Sequence, residues 1–182
     1  MAKRIGKYKV SKKESELSLA DGGTSTGKIT ATAGLQVTHA VPTPAATVTC
    51  TAATNGNRIN IIESIATTGA DNYVLPTASV VGEWYRFIWG GTAADADNII
   101  FRASAQDGLT FSGGILDLDE DDGTDTTDMN VIYQTGADDD QLTLTNPTGF
   151  DITFIATTTT NYCVTGWAAS TDTSAAFGDY AG

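Results

Sequence analysis

The sequence predicts an all-β protein, an antiparallel β-sandwich or jelly-roll-like barrel with an extended N-terminal arm. Three observations carry this. Apolar and polar residues alternate with a period of two through most of the chain, Gly, Asn and Asp turn signals interrupt the alternation at short spacing, and no stretch carries a helical apolar stripe. The abundance of Thr, Ala and Gly agrees with this reading, because Thr is stiff at χ1 and packs well on a pleated surface. A chain of 182 residues is long enough for one well-buried core plus an arm.

Residues 1–27 read as the arm. Lys-rich sequence passes into Asp21-Gly22-Gly23-Thr24-Ser25-Thr26-Gly27 without a sustained apolar period. Such a tail either floats in solvent or orders on a partner, and Ile5, Tyr8, Val10, Leu17 and Leu19 favour ordering. Residues 28–182 are expected to form a single sandwich domain. Half-buried antiparallel strands are predicted at Ile29-Thr30-Ala31-Thr32, Val48-Thr49-Cys50-Thr51, Arg58-Ile59-Asn60-Ile61, Leu142-Thr143-Leu144-Thr145 and Asp151-Ile152-Thr153-Phe154. In each the apolar residues should face the core and the polar ones solvent. Turns are expected at Asn55-Gly56, Gly90-Gly91, Asp107-Gly108, Gly113-Gly114 and Asn146-Pro147-Thr148-Gly149. The aromatic run Glu83-Trp84-Tyr85-Arg86-Phe87-Ile88-Trp89 reads as a strand crossing the core. It should place Trp84, Arg86 and Ile88 on one face and Tyr85, Phe87 and Trp89 on the other.

The formal net charge of −12 conceals an asymmetry. Lys3, Arg4, Lys7, Lys9, Lys12 and Lys13 all precede the first acidic residue, Glu14, so a cationic tail leads into an acidic body. An acidic body repels phosphates, which excludes nucleic acid as a partner of the fold. No apolar run is long enough to span a bilayer and no apolar segment follows the basic start, so no membrane partner is expected and the chain should stay in the cytosol or on a larger particle assembled there.

Candidate chemistry is sparse. His39 is the only histidine, and no nucleophile elbow accompanies it. Two cysteines and one histidine cannot build a zinc site without carboxylates, so no cofactor is expected. Cys50 and Cys163 read as small apolar core residues, with one long-range disulfide as the alternative. The acidic run 117–128 has Asp117, Asp119 and Asp121 at the one-three-five spacing of a calcium loop. Asp122 stands where that loop needs Gly, however, and Asp128 where a bidentate Glu is usual. The run, with Asp138-Asp139-Asp140 beyond it, therefore reads as a solvated acidic loop that attracts hard cations weakly.

A resemblance adds to this reading. The succession Thr47-Val48-Thr49-Cys50-Thr51-Ala52-Ala53, Asn55-Gly56, Asn72-Tyr73-Val74-Leu75-Pro76 and Val81-Gly82-Glu83-Trp84-Tyr85-Arg86-Phe87-Ile88 resembles a cassette of tailed-phage head decoration and head-fibre proteins. Asn161-Tyr162-Cys163-Val164-Thr165-Gly166-Trp167 is similar to their closing strand, and Met1-Ala2-Lys3-Arg4-Ile5-Gly6-Lys7-Tyr8-Lys9-Val10 to the start of small virion proteins of marine and cyanobacterial phages. The likeness spans most of residues 45–168, and the acidic run 117–128 is no part of it. It implies a non-enzymatic capsid decoration (cement) protein, often a homotrimer, on the outside of an icosahedral head, bracing major capsid proteins. Lys3, Arg4, Lys7, Lys9, Lys12 and Lys13 would then anchor the arm on the shell. The competing expectation is a carbohydrate-binding or host-surface adhesin module with Trp84, Trp89 or Trp167 as a sugar-stacking platform. A glycosidase using the acidic loop is the weakest reading, since nothing in the spacing sets two carboxylates across a cleft.

Overall fold

The computed structural model describes residues 39–64, 70–91, 97–104, 108–119, 129–170 and 175–180. The chain divides into two units, Met1–Gln36 and Val37–Gly182, and every described residue belongs to the second. The arm, the strand expected at Ile29-Thr30-Ala31-Thr32, Asp107 and residues 120–128 of the acidic run lie outside the described residues.

Twelve strands follow one another: β1 His39–Ala40, β2 Thr47–Thr49, β3 Arg58–Ile62, β4 Ala70–Leu75, β5 Trp84–Trp89, β6 Asn98–Ala103, β7 Thr110–Asp119, β8 Met129–Tyr133, β9 Gln141–Leu144, β10 Pro147–Thr158, β11 Asn161–Ser170 and β12 Ala176–Gly178. They form a seven-stranded sheet in the order β1-β3-β5-β10-β11-β7-β8 and a five-stranded sheet in the order β12-β9-β6-β4-β2. The protein is thus all-β and sandwich-like.

The expectation of antiparallel pairing holds only for part of each sheet. From β1 to β6 the chain changes sheet at every connection, so β1, β3 and β5 lie parallel in one sheet and β2, β4 and β6 parallel in the other. A parallel pair needs a crossover of about a dozen residues or more. Here a strand of the opposite sheet serves as that crossover. β7 is parallel to β11 as well, over ten register pairs from Asn161↔Thr110 to Ser170↔Asp119. Antiparallel pairing joins β10 to β11 and to β5, β7 to β8, β6 to β9, and β9 to β12.

Alternation places the core as expected along β5, β9 and β10. Tyr85, Phe87, Leu142, Leu144, Ile152 and Phe154 are buried, while Arg86, Thr143, Asp151 and Thr153 face outward. Aromatic rings fill the space between the sheets. Phe101 lies within about 6 Å, centroid to centroid, of Tyr73, Phe87, Phe150 and Phe154, with tilted or edge-on contacts of the kind aromatic quadrupoles favour.

β3 reverses its expected faces. Asn60 is fully buried, whereas Ile59 and Ile61 are only half-buried on the outer side. The cause is the preceding turn, where Asn60 Nδ2 donates to the carbonyls of Asn55 (3.1 Å) and Arg86 (3.2 Å) and its Oδ1 accepts from Asn55 Nδ2 (2.9 Å). The Asn55 Oδ1 in turn accepts from Thr51 N at 3.1 Å. One amide thereby stitches the turn to β5. Truncation by Asn60→Ala leaves buried partners without their bonds and should cost about 2 kcal/mol, lowering Tm by roughly 4–8 °C in a thermal melt.

Gly113-Gly114 is not a turn either. Both glycines lie inside β7, because a Cβ at Gly113 would sit 2.4 Å from the Val164 carbonyl oxygen of the adjoining strand.

Candidate interaction surface

The two outer faces of the sandwich differ in chemistry. On the five-stranded sheet the outward rows read Thr47, Asn72, Ile100, Thr143 and Thr49, Val74, Arg102, Gln141. Its polar groups are tied down: Arg102 Nε donates to Asn72 Oδ1 (3.1 Å), its guanidinium stacks 4.1 Å from the Tyr180 ring centroid, and Gln141 Nε2 donates to Thr143 Oγ1 (3.0 Å).

On the seven-stranded sheet the register brings Val131, Leu116, Trp167, Asp151, Ile88 and Ile61 into one row across six strands. Met129, Leu118 and Ala169 flank it on one side and Tyr133 on the other. Met129, Val131 and Tyr133 are 60–68% exposed and Trp167 is 40% exposed. The Trp167 indole lies over Gly149, where an added Cβ would come within 3.3 Å of the ring. Arg86 and Asp151 divide the face: Arg86 Nε and Nη2 donate to the two carboxylate oxygens at 2.8 and 2.5 Å. These hydrogen bonds raise the Arg86 pKa further, and the pair, being partly exposed, adds at most about 1 kcal/mol to stability. The half of the face toward β8 is thus an exposed apolar surface that ends on an edge strand. A contiguous patch of this kind marks an interaction site more often than a free surface.

The aromatic strand behaves as its alternation predicts. Trp89 packs against the core with Tyr85 and Phe87, and Trp84 is half-buried on the outer face, so of the three tryptophans Trp167 alone is exposed. The edge residues Met129, Val131 and Tyr133 went unnoticed in the sequence, although Met129-Asn130-Val131-Ile132-Tyr133 does alternate. Its apolar residues face both ways, with Ile132 packed on the core.

The acidic run is corrected where it can be seen. Asp117 does not project from a loop; it is buried in β7, facing the core, and its Oδ2 accepts a hydrogen bond from Ala175 N at 3.0 Å. Asp139 is buried too, its Oδ2 accepting from Thr135 N (2.8 Å) and Gly136 N (2.9 Å), and Asp140 Oδ1 accepts from Tyr180 N (2.6 Å). These carboxylates cap backbone donors. Among the described residues no group of three or more His, Cys, Asp or Glu is placed to hold a metal ion. His39 is exposed on the edge strand β1. Lys3, Arg4, Lys7, Lys9, Lys12 and Lys13 lie outside the described residues.

Both cysteines are free, and only Cys50 is a core residue. Cys163 is half-buried on the outer side of β11, where alternation with the buried Tyr162 and Val164 puts it. Burial pushes the Cys50 thiol up to about 12. At about pH 8 its thiolate is then roughly one part in ten thousand, so iodoacetamide should label Cys163 in the native protein and Cys50 only after unfolding, as read by peptide mapping.

No protein-family model matches the chain and no curated protein shows significant similarity to it, so the resemblance to phage head proteins rests on the quoted residues alone.

Proposed function

We propose that the chain is a structural virion protein, a decoration (cement) protein on the outside of a tailed-phage capsid that braces major capsid proteins and has no enzymatic role. The observation that carries this reading is the contrast between the two sandwich faces, one polar and internally bonded, the other apolar from Trp167 to the edge at Met129, Val131 and Tyr133. A surface of that kind needs a protein to cover it. The cationic residues Lys3, Arg4, Lys7, Lys9, Lys12 and Lys13 add a second, separable contact, an arm that gains order when it lies on acidic shell subunits. The buried side chains of Asn60, Asp117 and Asp139 bond to backbone groups of the body, and Asn60 bonds to the Asn55 side chain as well. That is the work of a scaffold.

Adding the purified chain to undecorated phage heads and imaging the particles tests the proposal. Stoichiometric density at capsid symmetry axes is the expected result, and heads that stay bare overturn it. Deleting residues 1–27 should leave a folded body that no longer binds, and wild-type occupancy by the deleted protein would remove the arm from the mechanism.

Trp167 supports a second reading. An indole that lies beside Gly149 and is 40% exposed suits stacking against a sugar ring, the adhesin alternative. A glycan array separates the two: glycan binding that Trp167→Ala abolishes, together with bare heads, establishes the adhesin.

A further inference from the structure

Asn55-Gly56, in the connection from β2 to β3, is the only Asn-Gly pair in the chain. Such a pair is chemically labile in a flexible segment, because glycine has no side chain to keep its amide nitrogen off the preceding residue. The Gly56 nitrogen loses its proton and bonds to the Asn55 Cγ, the Cγ–Nδ2 bond breaks, and ammonia leaves behind a five-membered succinimide. Water then opens the ring at either carbonyl, giving aspartate or isoaspartate. Water is taken up and ammonia released, with no oxidant or reductant.

In the fold both reacting groups are held. Asn55 is 6% exposed. Its Oδ1 accepts from Thr51 N (3.1 Å) and Thr54 Oγ1 (2.6 Å), and its Nδ2 donates to Asn60 Oδ1 (2.9 Å), so the side-chain amide is fixed from both ends. The backbone makes one helical turn. Asn55 N donates to Thr51 O at 2.9 Å, and the Gly56 N–H donates to the carbonyls of Ala52 (3.1 Å) and Thr51 (3.2 Å). Those two oxygens oppose loss of the Gly56 proton, and the bonds fix the rotation that ring closure needs.

The turn also requires the labile pair. A Cβ at position 56 would lie 2.7 Å from the Ala52 carbonyl oxygen and 3.0 Å from the Ala52 Cα, both backbone atoms. Asn55 must offer an acceptor to Thr51 and a donor to Asn60 from one short side chain, which an amide does and a carboxylate does not.

We infer that Asn55 is the site at which this protein is irreversibly modified when the β2–β3 connection opens, and that Asn60 is the latch that keeps the reaction off in the folded chain. The product cannot restore the turn. Aspartate has no donor for Asn60 Oδ1 and sets a charge beside that buried oxygen, and isoaspartate also lengthens the main chain inside the helical turn. Opening therefore leads in one direction.

Peptide mapping by mass spectrometry tests this, on the full chain held at one pH and temperature with and without guanidinium chloride. The unfolded chain should deamidate at Asn55 ahead of Asn98 and Asn130, which precede the β-branched Ile99 and Val131. In the folded chain Asn55 should react roughly a hundredfold more slowly, because the turn must first open. Asn60→Ala, under conditions where its circular dichroism stays native, should deamidate at Asn55 about tenfold faster than folded wild type. Leu144→Ala, a core truncation in β9, is the control for general destabilisation and should leave the rate near wild type. Equal rates in folded and unfolded wild type overturn the inference, as does an Asn60→Ala rate no higher than the control's. Asn55→Asp, which carries the product from the start, should melt below wild type; unchanged melting overturns the irreversibility. If Asn60→Ala does not fold, Thr54→Val, at an exposed residue whose hydroxyl bonds Asn55 Oδ1, carries the same comparison.

Discussion

Raising the pH from about 9 to about 11 should unfold this protein cooperatively, with the β-sheet signal and tyrosinate absorbance changing together. The cause is three buried tyrosines, Tyr73, Tyr85 and Tyr162, whose hydroxyls all have raised pKa values. Burial is the main cause in each. The Glu83 hydrogen bond adds to it at Tyr85, the Glu83 charge at Tyr162 and the Asp71 charge at Tyr73. Cys50 joins them, its thiol raised from 9.0 to about 12. A group whose pKa is higher folded than unfolded leaves stability intact below its unfolded value. Stability is lost as the pH climbs past that value, because only the unfolded chain can then release the proton. With an unfolded tyrosine pKa near 10, the three tyrosines together should remove on the order of 4 kcal/mol by about pH 11, and Cys50 roughly 2–3 kcal/mol more. Against a typical total of about 5–15 kcal/mol, that loss is decisive. Tyrosinate absorbance that rises over this range with the sheet signal unchanged would refute the mechanism, since it would mean the buried hydroxyls ionise in place.

Gly166→Ala should be the most damaging single methyl addition among the described residues. Gly166 sits in mid-β11 at φ 144°, paired with Ile152 of β10 on one side and Ile115 of β7 on the other. An added Cβ would lie 2.0 Å from the Asp151 carbonyl oxygen and 2.9 Å from the Ile152 Cα. Those atoms are backbone, fixed in the ladder that pairs β10 with β11, and β10 is fixed again by β5. Relief therefore requires the centre of the large sheet to separate. Backbone strain and clash together should cost roughly 3–5 kcal/mol and lower Tm by about 6–20 °C. Gly178→Ala, at the end of β12 with nothing within 4 Å of the new methyl, is the matched control and should leave Tm almost unchanged. Equal melting of the two variants would show that β11 tolerates movement the register does not suggest.

The parts of this fold that could be read from the sequence are those where one side chain decides the matter. In β5, β9 and β10 large apolar residues alternate with polar ones, and the only partner available to Phe87, Leu144 or Phe154 is the core. Asn60 breaks the rule because it is buried to satisfy the Arg86 carbonyl, which becomes its neighbour only after folding. Asp117 breaks it likewise, its carboxylate waiting on the backbone of Ala175 from far along the chain. Neither partner is visible in a local window. Parallel pairing was hidden for a related reason, since a half-buried strand alternates in the same way beside a parallel neighbour as beside an antiparallel one. What distinguishes the two is the path of the connection, and turn residues near Asn55-Gly56 read alike whether the chain returns to its own sheet or crosses to the other. At the candidate surface, Trp167 could be singled out but its exposure could not, and the outward residues of β8 offered only a weak alternation that faces both ways.

The position of β10 and β11 bears on when the molecule can fold. They form a long hairpin at the middle of the large sheet, with β5 against one flank and β7 against the other. A ribosome delivers β1 to β9 first, so β5 and β7 emerge as two separated margins of a sheet whose centre does not yet exist. Their edges must wait, unpaired, for a wedge that arrives late. Productive folding is then a closing event set off by one hairpin, and the interval before it is when the nascent chain is most open to mispairing with its neighbours.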